Sequence, residues 1–232
     1  AATKNTTGSI NSYVKANSTY GQSIVSYTGI SGASKTIGHG LSSAPEMIIV
    51  KNRGLNDEWV VYNHSIGNEK YLRLDSTAAL ADNIYWNDTT PTSSVFSVGN
   101  HRIVNDSLYG YIAYCFHSVT GYSKIGSYTG DATTNGSLSV TTGFAPAFLM
   151  IKKTNGVAGW VMVDNTRTPT NPVNKYHYAN TNDVEASGSI CNFTSTGFNL
   201  LTNLAGVNTS GGTYIYMAFA DKREYAYWLD QS

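Results

Sequence analysis

Short runs of apolar and aromatic side chains recur along the chain, separated about every 8–12 residues by clusters of Gly, Asn, Asp, Ser and Thr. EWVVYN (58–63) and GWVMVD (159–164) alternate large and small apolar side chains, while YIAYCF (111–116) and YIYMAF (214–219) are β-branched and aromatic. Runs of this kind fit a pleated surface with one buried face, and they predict strands. No window keeps a 3.6-residue apolar period with caps. The best helical candidates are STAALAD, Ser76 to Asp82, and the stretch around TNDVEA (181–186), each a turn or two in length. Gly40 and Gly143 precede a Pro and an apolar run, and are expected to turn the chain into strands beginning near Met47 and Phe148.

The pattern also repeats. Ser26-Tyr27-Thr28-Gly29 returns as Ser127-Tyr128-Thr129-Gly130, an offset of 101. At the same offset, Pro45 followed by EMIIVKN matches Pro146 followed by AFLMIKK, and Trp59 to Asn63 matches Trp160 to Asp164. Lys70-Tyr71 then pairs with Lys175-Tyr176, SSVFSV with STGFNL, and YIAYCF with YIYMAF, so the offset drifts between 101 and 105 as loops gain residues. A repeat of about 100 residues is the size of a common domain. The expected organisation is an N-terminal arm (1–22), a first repeat (23–120), a second (121–222) and a C-terminal tail (223–232). Each repeat is predicted to be an all-β, antiparallel sandwich of jelly-roll type. SINSYVKAN in the arm could add an edge strand. The arm and the tail are where contacts with neighbouring subunits or modules are expected.

Composition narrows the functions. Fifteen Lys+Arg balance fifteen Asp+Glu, and charged residues make up only 13% of the chain, against about 25% in an ordinary domain. No basic field exists to grip a phosphate backbone, so nucleic acid is not an expected partner. Ser, Thr and Asn fill 73 of 232 positions; with 41% hydrophobic and 12% aromatic residues beside them, a folded, soluble protein is expected rather than a disordered one. No apolar run approaches the roughly 20 residues of a membrane helix, so membrane insertion is not expected. Cys115 and Cys191 stand in apolar company and are read as buried free thiols. The chain opens on Ala1 with neither an initiator Met nor an apolar leader, which is read as a piece of something longer.

Together the boxes SIVSYTG, GHGLSSAPEMIIVKNR, EWVVYNHSIGNEKYLRLDSTAA, PTSSVFSVG and YIAYCFHSVTGYSKIGSYTG resemble a tandem-repeat domain of virion proteins from marine tailed bacteriophages, notably those of cyanobacteria. The tail YAYWLDQS is similar to that family's link to neighbouring modules. The resemblance extends over about residues 20 to 232. It implies a structural or host-attachment module at the virion surface, in a tail or capsid fibre, whose partners are other virion proteins or copies of itself, a homotrimer by analogy, and host surface glycans. It carries over no catalytic residue. The second repeat departs from the pattern by replacing YNHSIGNEKY with VDNTRTPTNPVNKY.

Candidate chemistry is sparse. The five histidines (His39, His64, His101, His117 and His177) fall at inequivalent places in the repeats and no G-x-S-x-G elbow occurs, which argues against a nucleophilic triad. Glycoside cleavage needs two facing carboxylates, for which Glu46, Glu58, Glu69 and Asp75 are the candidates; strand-end solvation is the simpler reading of them. The Asp/Asn loops lack the spaced calcium pattern, so neither metal nor cofactor is expected. Sugar rings stack on aromatic faces while amides and carboxylates bond their hydroxyls. Trp59 and Trp160 recur at one strand position and are read as core. Trp86, in the polar stretch NIYWNDTTP, has no counterpart in the second repeat; with Tyr85, Asn87 and Asp88 it forms the expected ligand-binding site. The expectation is a non-enzymatic virion attachment module, with a secreted carbohydrate-binding module or a glycan-cleaving enzyme as alternatives.

Overall fold

A computed structural model describes residues 1–221. The chain divides into two compact units, Ala1–Ser118 and a second starting at Val119. Both are all-β, and every strand ladder among the described residues is antiparallel.

In the first unit the strands are β1 (Thr3–Asn5), β2 (Ser12–Asn17), β3 (Gln22–Thr28), β4 (Lys35–Gly38), β5 (Met47–Asn52), β6 (Trp59–Asn63), β7 (Lys70–Arg73), β8 (Ala81–Asp82), β9 (Val95–Val98) and β10 (Gly110–Phe116). Eight of them make one sheet in the order β1-β2-β3-β10-β5-β6-β7-β8, and β4 and β9 pair separately. Ile37, Phe96 and Val98 of the small sheet share a core with Val25, Tyr27, Ile48, Val50, Val60, Tyr62, Tyr111, Ala113 and Cys115 of the large one. YIAYCF forms a strand as expected, and its burial alternates: Tyr111, Ala113 and Cys115 are buried while the residues between are half-buried. The N-terminal stretch belongs to this unit. β2 pairs with β3 along its length, Ile10 bridges to Ile37 of β4, and the Ser12 hydroxyl donates to the Gly38 carbonyl at 2.9 Å.

The second unit contains β11 (Ser123–Thr129), β12 (Ser139–Thr141), β13 (Pro146–Lys153), β14 (Val161–Asp164), β15 (Val173–Tyr178), β16 (Ala186–Thr194), β17 (Gly197–Leu200) and β18 (Thr213–Ala220). All eight form one sheet, β11-β18-β13-β14-β15-β16-β17-β12. Val140 of β12, near one edge, and Tyr214 of β18, near the other, lie in the same core, so the sheet curls into a nearly closed barrel. The cause of the difference between the units is β16. Its nine residues reach β17, whereas β8, its counterpart, has two and stops short.

Neither helical candidate forms. Residues 76–80 are irregular and Ala81–Asp82 enters β8, while β16 begins at Ala186. A stretch of one or two turns gains too few hydrogen bonds to offset nucleation. The helical turn among the described residues is instead a 3-10 turn, Ile84–Trp86, capped by the Asn83 side chain and ended by Asn87 in the left-handed region. Gly40 and Gly143 both have positive φ, 71° and 89°, the backbone expected of turn glycines.

Each repeat ties its SYTG box in the same way. The Tyr27 hydroxyl donates to the Val104 carbonyl at 2.7 Å and the Tyr128 hydroxyl to that of Val207 at 2.6 Å. The next residue is a buried Asn in both: Asn105 Oδ1 accepts the Ile30 N–H at 2.7 Å, and Asn208 Oδ1 accepts the Asp131 N–H at 2.8 Å. A Cβ on Gly29 would lie 2.4 Å from the Asp106 backbone, and one on Gly130 2.4 Å from the Thr209 carbonyl. Only glycine permits that approach.

Candidate functional site

Trp86 is not an exposed aromatic. It is 1% exposed and Tyr85 3%, both within the first unit's core, with Tyr62 edge-on to the Trp86 ring at 5.8 Å and Tyr71 edge-on to Tyr85 at 4.6 Å. The 3-10 turn drives both rings inward and leaves Asn87 and Asp88, with the Ile84 side chain, in solvent. The expected stacking platform is therefore absent there. Asp88 does line a groove of 440 Å³ with Glu69, Asp82, Asn83 and Ile84, but Asp82 is ion-paired to Lys70.

The other candidate carboxylates have structural bonds. Glu46 accepts from the Ser118 N–H at 2.9 Å and from its hydroxyl. Glu58 pairs with Arg73 at 2.5 Å. Asp75 accepts the Trp59 N–H at 3.3 Å, and Asn180 does the same for Trp160 at 2.7 Å; an amide in the second repeat serves as well as the acid in the first, so the charge is not needed. Trp160 is buried, and Trp59 is half-buried against Tyr114. Cys115 and Cys191 are free and buried. Burial pushes the Cys115 thiol up to about 12 and raises that of Cys191 as well. Among the described residues no three His, Cys, Asp or Glu side chains are placed to hold a metal, and no helix is long and apolar enough to cross a membrane.

A more open site lies in the second unit. Phe148 of β13 and Phe219 of β18 are directly paired across the ladder, with ring centroids 6.3 Å apart and planes at 40°. They border a cleft of 570 Å³ whose other side is the turn after β14: Asp164, Asn165, Thr166 and Arg167, with Asp221 nearby. Asp164 shapes that turn. Its Oδ1 accepts from the N–H groups of Thr166 and Arg167 at 3.0 and 2.8 Å, and its Oδ2 from Arg167 Nε at 2.6 Å. Partial burial pushes the Asp164 carboxyl upward, but these bonds and the Arg167 charge outweigh it and hold the group below its ordinary value. A smaller cleft of 190 Å³, lined by Thr168, Thr170, Asn171 and Phe193 among others, shares Asn165 with the first. Asn171 fastens this wall to β16, accepting the Phe193 N–H at 2.9 Å and donating to its carbonyl at 2.7 Å.

Sequence reasoning passed over these residues. The signal was the place where the repeat offset jumps from 101, at Asn63 and Asp164, to 105, at Lys70 and Lys175: the four added residues follow Arg167, in the stretch that lines the smaller cleft. The first unit has Met47, Asn63 and Ile66 where the second has Phe148, Asp164 and Arg167.

A family model described as Domain of unknown function (DUF7483) matches residues 1–223. The chain belongs to that family. No curated protein and no solved structure matches it. The DUF7483 match covers both units, so the duplication and the cleft-bearing loop lie within a single family domain.

Proposed function

We propose that this DUF7483 chain is a non-enzymatic structural and host-attachment module of a bacteriophage virion, carried on a tail or capsid fibre and contacting glycans of the host surface. The observation that carries the reading is the contrast between the two units: the same tyrosine bonds in both, with Phe148 and Phe219 bordering an open cleft in the second where the first has Met47 in place of Phe148. A scaffold kept in both copies and elaborated at one loop suits display and binding. The structural bonds of Glu46, Glu58 and Asp75 support the non-enzymatic part. A two-layered, sandwich-like reading of each unit is part of the proposal; in the first unit it is supported by the β4–β9 pair, which faces the large sheet across one core. Partners would be other virion proteins or further copies of the chain.

Antibody to this chain, imaged by electron microscopy on purified particles, is expected to decorate the virion; bare particles would sink the virion assignment. The glycan-cleaving alternative has one observation in its favour, the carboxylates of Glu69, Asp82 and Asp88 along one groove. Release of reducing ends from host polysaccharide that stops in Glu69→Gln would favour it instead.

A further inference from the structure

We infer that the cleft of the second unit is a binding site for a neutral oligosaccharide. The inference rests on the glycan-contact reading and names its site and ligand class. The volume, 570 Å³, lies within the range of about 300–1,000 Å³ usual for small-molecule sites. Its floor is apolar in the form a sugar ring needs. Phe148 and Phe219 are both half-buried, held by strand register, and present ring surface to the C–H face of a pyranose at little entropic cost.

The charges bear on the class. Among the described residues that line the cleft, Arg167 is the cation, and its guanidinium already bonds Asp164 through Nε at 2.6 Å, Glu185 through Nη1 at 3.3 Å and the Met162 carbonyl through Nη2 at 3.3 Å. Three of its five N–H donors are engaged and the carboxylates of Asp164 and Glu185 balance its charge, which makes it a poor anchor for a sulfate, uronate or sialic acid. With Asp164 paired to Arg167, this wall offers an anionic ligand no net counter-charge. A ligand rich in hydroxyls and lacking charge needs none. Asn165 lies where the two clefts meet, and its side-chain amide makes no hydrogen bond to the described residues, leaving a donor and an acceptor for vicinal hydroxyls. The second cleft continues the groove past Asn165 along Thr168, Thr170 and Asn171, so more than one sugar residue is accommodated.

The test is a panel of neutral di- to tetrasaccharides of glucose, galactose, mannose and N-acetylglucosamine, with sialylated, sulfated and uronate counterparts, screened against the full chain. Binding is expected for neutral members, weakened at least about tenfold in Asn165→Ala and Phe148→Ala. Thr166→Arg, at an exposed position, blocks the cleft with little risk to folding, and melting curves identify any variant that fails to fold. Binding kept in all three variants but lost in Asn87→Ala or Asp88→Asn overturns the cleft while leaving the glycan reading intact. Preference for the anionic members overturns the ligand class. No binding by the wild type to any member overturns site and class together, whereas the virion assignment stands or falls separately on particle labelling.

Discussion

Tyr27 lies nearly flat against Tyr111, its cross-strand partner, with ring centroids 5.1 Å apart and planes 14° from parallel. Tyr128 and Tyr214 repeat the pair at 5.0 Å and 12°. Each stack joins the first strand of a repeat to its last, and both hydroxyls of each pair reach carbonyls of the preceding loop: Val104 and Arg102 in one unit, Val207 and Ala205 in the other. Burial raises the Tyr27 and Tyr128 phenols well above the ordinary tyrosine value, so these groups stay neutral donors.

Tyr27→Phe and Tyr128→Phe keep the stack and remove one donor each. Leaving a carbonyl without its partner costs about 1–3 kcal/mol. Urea unfolding should show midpoints lowered by a corresponding amount in both variants; unchanged midpoints would mean that water replaces the lost hydroxyl.

Trp86→Ala is expected to destabilise the first unit by about 3–5 kcal/mol, the usual cost of emptying a large aromatic site in a core. Its Nε1 lacks a hydrogen-bond partner, so Trp86→Phe should cost much less. Thermal melts of the two variants side by side check the ranking, and equal stability of both would contradict a core role.

His39 gives the first unit a dependence on pH. Its Nδ1 accepts the Leu41 N–H and its Nε2 donates to the Thr92 carbonyl, each at 3.1 Å, an arrangement that requires the neutral ring. Burial is the main cause that lowers its pKa and nearby His117 adds to it, while the Thr92 bond opposes them. The unfolded chain therefore takes up the proton first, and stability falls as pH drops below about 6.5 toward the depressed folded value. Melting temperatures at about pH 7.5 and 5.5 should separate in the wild type and draw closer in His39→Gln. The same gap in both would place the titration on another group.

The two thiols should be silent. With Cys115 and Cys191 fully buried and their pKa values raised, neither supplies accessible thiolate near neutral pH. A disulfide exchange reagent is expected to label none in the native chain and both after denaturation; rapid native labelling would reveal an opening of the core.

The repeat was legible because strand boxes such as SYTG and YIAYCF carry their own pattern, and Gly40 and Gly143 announced turns that only glycine makes easily. The Val-Asn dipeptide at 104–105 and 207–208 was equally visible, at the offset of the YIAYCF box, yet its meaning depends on long-range bonds to residues about 75 positions away. Trp86 misled because its neighbours are polar: local composition does not reveal that a 3-10 turn aims two consecutive aromatics inward. The cleft was hidden for a related reason. Phe148 and Phe219 are 71 residues apart in sequence and meet only through strand register.

The bridge from Ile10 to Ile37 and the pairing of β2 with β3 bear on any attempt to cut the chain into pieces. The repeat begins near residue 23, but a fragment started there loses the strand covering β3 and the clasp that joins the small sheet to the large one. The exposed edge would then be a template for pairing with other chains. Sequence periodicity marks the evolutionary unit of this protein, whereas the first unit that can be excised intact includes the residues before it.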